Sequence, residues 1–204
     1  MTAITVVIPT LTGREELLER TLAAYEENTT AGTELEIIVV KNRASCGEAW
    51  AAENGTADLV HLAADDILPH EGWDTGGWQD GSFLPSPLIL RPDGSVEACG
   101  SMGGGMLLQD CRTATRCNVS QFPAMPRTVW EEIRPDVLPI HYYSDDQISY
   151  LWSREISRTR PTATVQVDRT YTFTHLEGIV GRESVVRRSG TDRKRYLDFV
   201  AGRQ

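Results

Sequence analysis

With 204 residues, 40% of them hydrophobic, and 17 glycines beside 10 prolines, the chain can bury one full core but hardly two. This balance excludes disordered, collagen-like and coiled-coil chains, and no apolar run nears the roughly 20 residues that span a bilayer. The formal charge of -9 is unevenly spread: residues 182–204 hold seven basic and three acidic side chains, while the rest hold 13 and 26.

Residues 4–9 form a continuous apolar run rich in β-branched side chains, which predicts a strand buried on both faces of a parallel sheet. The sequence enters that strand without a basic stretch, a long apolar segment or a small-residue cleavage site, so a cytoplasmic protein is expected. Thr12 and Glu15 have capping-box spacing, and Leu17, Leu18, Thr21, Leu22 and Tyr25 recur on one helical face, predicting a helix that ends near Asn28. A second buried strand follows at 35–40, a short helix at 47–53 and a third strand at 59–63. This alternation predicts right-handed crossovers and a doubly wound, Rossmann-like α/β fold whose mostly parallel sheet is flanked by helices. Ligands of such sheets bind beyond the carboxyl ends of the strands, which picks out the loops 10–13, 41–45 and 64–68.

Residues 69–92, rich in Gly, Pro and Trp, read as a long ordered loop or short hairpin, and Arg91-Pro92-Asp93-Gly94 as a turn before the Val96 region. Gly103, Gly104 and Gly105 imply a close backbone approach, to a neighbouring strand sooner than to a ligand. Helices are predicted at 129–133 and 147–156, and a strand at 164–174. The segment 181–204 reads as a basic C-terminal helix or tail on a single domain at 1–180. Its charge suits an anionic acceptor, nucleic acid or a donor diphosphate, although solvated helix charge is the commoner cause of such runs. Cys46, Cys99, Cys111 and Cys117 contain no C-x-x-C pair and match no zinc pattern, so free thiols are expected.

Asp65 and Asp66 directly follow a buried strand, where a carboxylate pair either binds a cation or caps the next turn. Asp145 and Asp146 read locally as caps of the helix starting near Gln147. His61, His70 and His141 read as structural, and Trp73, Trp78 and Trp130 as core residues before sugar platforms. No G-x-G-x-x-G follows the first strand and no G-x-x-x-x-G-K-[ST] occurs, which argues against a dinucleotide fold and a P-loop.

Most of the chain resembles the GT-A glycosyltransferases, family 2 in particular. The likeness runs from Val7-Ile8-Pro9-Thr10 through Ile37-Ile38-Val39-Val40-Lys41-Asn42 to a DxD-like motif at Leu62-Ala63-Ala64-Asp65-Asp66, with Pro69 and Gly72-Trp73 beyond it. Met125-Pro126-Arg127 and Val129-Trp130-Glu131-Glu132-Ile133 resemble the segment before the family's acidic catalytic motif, here Ser144-Asp145-Asp146-Gln147. Thr174-His175-Leu176-Glu177-Gly178 is similar to the place where several GT-A enzymes give a histidine to the metal.

The resemblance implies a metal-dependent transferase that moves a sugar, with inversion, from a nucleotide-diphosphate donor, a UDP-sugar first of all. The acceptor would be a hydroxyl of a glycan, protein, lipid-linked sugar or nucleic acid. Asp65, Asp66 and His175 become ligands of Mn²⁺ or Mg²⁺, and Asp146 the base, assisted by Asp145. Pro9, Thr10, Lys41, Asn42 and Asp65 become donor contacts. The chemistry is consistent: a leaving diphosphate needs a hard cation, and an acceptor hydroxyl needs a base. The chain also departs from the family. Lys41 stands where an acid is usual, Ala63 replaces the first Asp of a full D-x-D, and Glu53 stands where a basic residue is common. The alternative is therefore a catalytically inactive nucleotide-sugar or glycan-binding module of the same fold.

Overall fold

Burial on both faces makes a strand of the first apolar run: Ile4, Val6 and Ile8 enter one core cluster and Val7 the other, all fully enclosed. Each such side chain contributes about 1.5–3 kcal/mol by leaving water. The computed structural model describes residues 2–42, 45–102, 108–110, 118–119, 121–141, 143–156, 164–176 and 182–203, with 182–189 described by their backbone alone. The chain begins β1 (Thr2–Thr10), α1 (Glu15–Asn28), β2 (Thr33–Lys41), α2 (Cys46–Ala51) and β3 (Leu59–Leu62). It continues through β4 (Ile67–Pro69), β5 (Phe83–Leu90), β6 (Val96–Ala98), β7 (Ala124–Pro126), α3 (Arg127–Ile133), α4 (Ser144–Leu151), β8 (Thr164–His175) and α5 (Arg182–Ala201).

Two sheets result. The first has the order β2-β1-β3-β7, with β1 parallel to both neighbours and β7 antiparallel on the edge. Helices flank it: α1 covers the Ile4 face through Leu18, Leu22 and Tyr25, while Trp50 of α2, Trp130 of α3 and Ile148 of α4 pack on the Val7 face. The second sheet, β4-β8-β5-β6, is mixed, since β8 runs parallel to β5 and antiparallel to β4. The α/β class with a parallel core is as expected from the sequence. The mixed second sheet is the added finding.

Other expectations are sharpened or corrected. The Thr12–Glu15 capping box does not form: Arg14 is the residue preceding α1, and the Thr12 hydroxyl donates to Asn42 Oδ1 (3.0 Å) instead. The stretch after Pro69 folds as two short 3₁₀ turns, Trp73–Thr75 and Gly77–Asp80, before β5. The turn expected at Arg91–Gly94 is present, with Gly94 at φ 80° and the Arg91 N–H donating to Ser95 O. The helix expected to reach Ile156 ends at Leu151 and widens into a π-type turn, Trp152–Ile156. Trp73, Trp78 and Trp130 are fully buried, as core residues should be. Gly103, Gly104 and Gly105 lie outside the described residues.

Cys46 is a free thiol, but Cys99 is disulfide-bonded, which corrects the expectation of free cysteines. Sequence spacing carries no information about a pairing made by the tertiary fold, and disulfides belong to oxidising surroundings, so cysteine usage no longer supports a cytoplasmic location. No helix among the described residues is long and apolar enough to cross a membrane. α5 returns to the body: Phe199 packs against the Val7-side core, and Asp192 Oδ2 accepts from the His141 N–H at 3.1 Å.

Candidate active site

The carboxyl ends of β1, β2 and β3 meet at one edge, because the parallel register sets Thr10 beside Lys41 and Val7 beside Leu62. Beyond β3 the chain passes from the first sheet to the second through Asp65 and Asp66, then enters β4. Antiparallel pairing of β4 with β8 puts Ile67 opposite His175, and the Leu176 N–H donates to Asp66 O at 2.8 Å. Residues more than a hundred positions apart are thereby brought to one seam. His175 Nε2 lies 3.5 Å from Asp66 Oδ2, and its Nδ1–H donates to Glu97 Oε2 of β6 at 3.0 Å. Asp65 faces the other way: its Oδ2 accepts from Thr10 Oγ1 at 2.6 Å and its Oδ1 from Arg14 Nε at 3.0 Å.

The charges compensate one another. Burial works against ionisation of Asp66, but His175 and Arg14 overcome it and hold the carboxyl below its usual range. Burial likewise works against the imidazolium of His175, yet Asp66 and Glu97 carry its pKa up to about 9. A second acidic pair opens α4. Asp146 is buried, its Oδ1 accepting from Asn118 Nδ2 (2.9 Å) and Ser101 Oγ (3.2 Å). Burial and the neighbouring Asp146 charge push Asp145 upward. The two acidic pairs act on one group: the half-buried Cys46 thiol is pushed up to about 12 by desolvation first and then by Asp66, Asp65 and Asp145. Among the described residues, the non-glycine positions with positive φ are Asn42, Phe122 and Tyr143. They stand respectively after β2, against the His175 ring and immediately before α4, so backbone strain is concentrated around this seam.

Solved structures share this architecture. A mannosyltransferase from Pyrobaculum calidifontis, in complex with GDP-Man and Mn²⁺, aligns with a TM-score of 0.60 and 13% identity over 98% of this chain. The chain spans 64% of that protein's length. Drosophila β1,4-galactosyltransferase 7, bound to manganese, UDP-Gal and xylobiose, aligns at 0.51 and 12% identity, over 90% of this chain and 74% of that one. The same enzyme's catalytic domain with xylobiose gives 0.50 and 12%, over 87% and 72%. The fold is GT-A. No family model and no curated protein matches the sequence.

Within this GT-A fold the residues singled out from sequence divide into groups. Asp65, Asp66 and His175 share the seam, with Thr10 joined to them; Pro9, Lys41 and Asn42 line the adjoining strand ends, where Lys41 and Asn42 are exposed. Asp145 and Asp146 begin α4. The residues suit a hard divalent cation: the 3.5 Å between Asp66 Oδ2 and His175 Nε2 is a span that two ligands of one ion can bridge. Glu97 behind the ring is the partner metal-binding imidazoles commonly have. Among the described residues no three His, Cys, Asp or Glu groups close on one point, because Asp65 turns to Thr10 and Arg14. Sequence reasoning missed Arg14, Glu97, Ser101 and Asn118. An acid in the short strand Val96–Ala98 was a usable sign for Glu97, since a buried charge demands a partner; Asn118 gave none. Glu53 proves structural: buried, it accepts from Trp130 Nε1 (2.9 Å), Arg127 Nη1 (3.0 Å) and Arg134 Nη1 (3.1 Å).

Proposed function

We propose that this protein is a glycosyltransferase that moves a sugar from a nucleotide-diphosphate donor to an acceptor hydroxyl, with a divalent cation, Mn²⁺ or Mg²⁺, at the Asp65–Asp66 turn. The observation that carries the reading is the meeting of Asp66 with His175, the latter braced by Glu97, at the carboxyl edge of a GT-A sheet. Two of the structural neighbours were solved with manganese and UDP-Gal or GDP-Man, which supports a donor of the same class. When bound, the cation neutralises charge growing on the departing diphosphate.

The chain's own residues do the rest. Thr10 and Asn42, joined by the Asn42 N–H to Thr10 O bond at 2.9 Å, shape the strand ends that receive nucleoside and ribose, with Pro9 and Lys41 beside them. Lys41 in place of an acid leaves the base unassigned between uracil and guanine. Asp146, fixed by Asn118 and Ser101, takes the proton from the acceptor hydroxyl as the new bond forms. Asp145, with its raised pKa, keeps negative charge from doubling beside it. A base opposite the leaving group gives inversion at the anomeric carbon. The body at 1–180 holds this machinery, and α5 is an added element.

The test is incubation with Mn²⁺ and a panel of UDP- and GDP-sugars, reading nucleoside diphosphate release and thermal shift. Release that disappears in Asp146→Asn while the thermal shift persists is the expected result. Silence in both readouts across the panel refutes the proposal, and a shift without release in the wild type assigns a binding module instead.

A further inference from the structure

The guanidinium of Arg14 sits on the oxygens that the cation would need. Its Nε contacts both oxygens of Asp65, at 3.0 and 2.9 Å, and its Nη2 lies 2.8 Å from Asp65 Oδ1. The same Nη2 donates to Asp66 Oδ2 at 2.9 Å, and that oxygen is the one facing His175. A cation bound between Asp66 and His175 would therefore share an oxygen with a fixed positive charge, and mutual repulsion forbids both at contact distance. Arg14 is also placed to leave. It precedes α1 in the loop after β1, next to Gly13 at φ 90°, and its side chain is 27% exposed. A planar fork released there stands at the N-terminus of a 14-residue helix, at the strand edge where a diphosphate would lie, and matches phosphate oxygens as well as carboxylates.

We propose that Arg14 is a resident counter-ion of the Asp65–Asp66 turn, which a divalent cation displaces and which then turns to the donor's phosphates. The inference rests on the glycosyltransferase reading for the phosphate role only; competition for the carboxylates is tested without donor. Arg14 thereby lowers the affinity for the free cation and keeps the empty turn neutralised. Arrival of the ion and of the diphosphate becomes coupled, because the ion frees Arg14 from the carboxylates and the phosphates give it a new partner.

Titration of the full chain with Mn²⁺ alone, followed by electron paramagnetic resonance of the free ion, separates the outcomes. Arg14→Gln is expected to bind Mn²⁺ about tenfold more tightly than the wild type, the scale of one bidentate ion pair at a partly exposed site, with Arg14→Lys between the two. Wild type that binds while the glutamine variant binds equally or more weakly overturns the counter-ion role and leaves the cation site standing. Absence of binding in all three overturns both. If the glutamine variant does not fold, phenylglyoxal labelling of the wild type serves: the rate at Arg14, read by peptide mass, should rise on Mn²⁺ addition, and an unchanged rate refutes displacement.

Discussion

His61 and His175 are bridged through aromatic rings, His61 stacked on Phe173 at 5.4 Å and His175 edge-on to Phe122, which itself touches Phe173. Both imidazoles are buried, yet they hold opposite charge states. Tyr171 gives its one proton to Phe122 O, so its oxygen accepts from His61 Nδ1–H (2.5 Å), and His61 Nε2 accepts from Tyr25 (2.6 Å). Such neutral partners cannot offset desolvation, and burial drives the His61 pKa down to about 3. His175 meets two carboxylates and is carried up to about 9. The same side chain is thus a neutral strut in β3 and a charged element at the end of β8. What separates them is whether countercharge is buried alongside.

This contrast predicts that the two regions fail differently. The largest effect belongs to the ionic region: Asp146→Asn should cut transfer by about 10²–10⁴-fold with little change in melting temperature, measured as nucleoside diphosphate release and by calorimetry. Activity retained within a few-fold removes Asp146 from the chemistry. Next, Glu97→Gln strips His175 of its anionic brace and should weaken Mn²⁺ binding about 10–100-fold, again with His61 undisturbed. On the neutral side, Tyr25→Phe leaves His61 Nε2 without its donor and should destabilise the fold by about 1–3 kcal/mol in urea melts, with Mn²⁺ affinity unchanged. A Tyr25→Phe variant that loses metal affinity would merge the two regions into one.

The neutral region was the more legible in sequence. Ile4 to Ile8 announces a doubly buried strand through β-branched side chains alone, and one-sided periodicity from Leu18 to Tyr25 announces α1, because local pattern and tertiary burial agree there. Asp65, Asp66 and His175 were singled out through the family resemblance, and the proximity of Asp66 to His175 follows from β4–β8 pairing that no local pattern encodes. Arg14 escaped because a lone basic residue before a helix looks like any solvated charge; its bond to Asp65 spans 51 positions. The capping box failed for a similar reason: Asn42, left-handed at the end of β2, offers the Thr12 hydroxyl a tertiary acceptor.

The smallest effect is the pH dependence of stability in chelator-treated protein, and it tests the charge assignments directly. For His61 the folded pKa of about 3 lies below the ordinary 6.5, so the unfolded chain takes up a proton first as pH falls. Its contribution is complete above pH 6.5 and drains away between 6.5 and 3, at no more than about 1.4 kcal/mol per pH unit. For His175 the folded pKa of about 9 lies above 6.5, so its contribution is complete below 6.5 and is lost as pH rises through 9. Urea unfolding followed from pH 5 to 9 should therefore show, relative to the wild type, a smaller fall in stability toward acid in His61→Gln and a smaller fall toward alkali in His175→Gln. If the His61 variant flattened the alkaline limb, or the His175 variant the acid limb, the opposite charge states would be misassigned, since the raised Asp145 and the lowered His70, which also titrate on unfolding in this range, are present in both variants and cancel from the difference against the wild type.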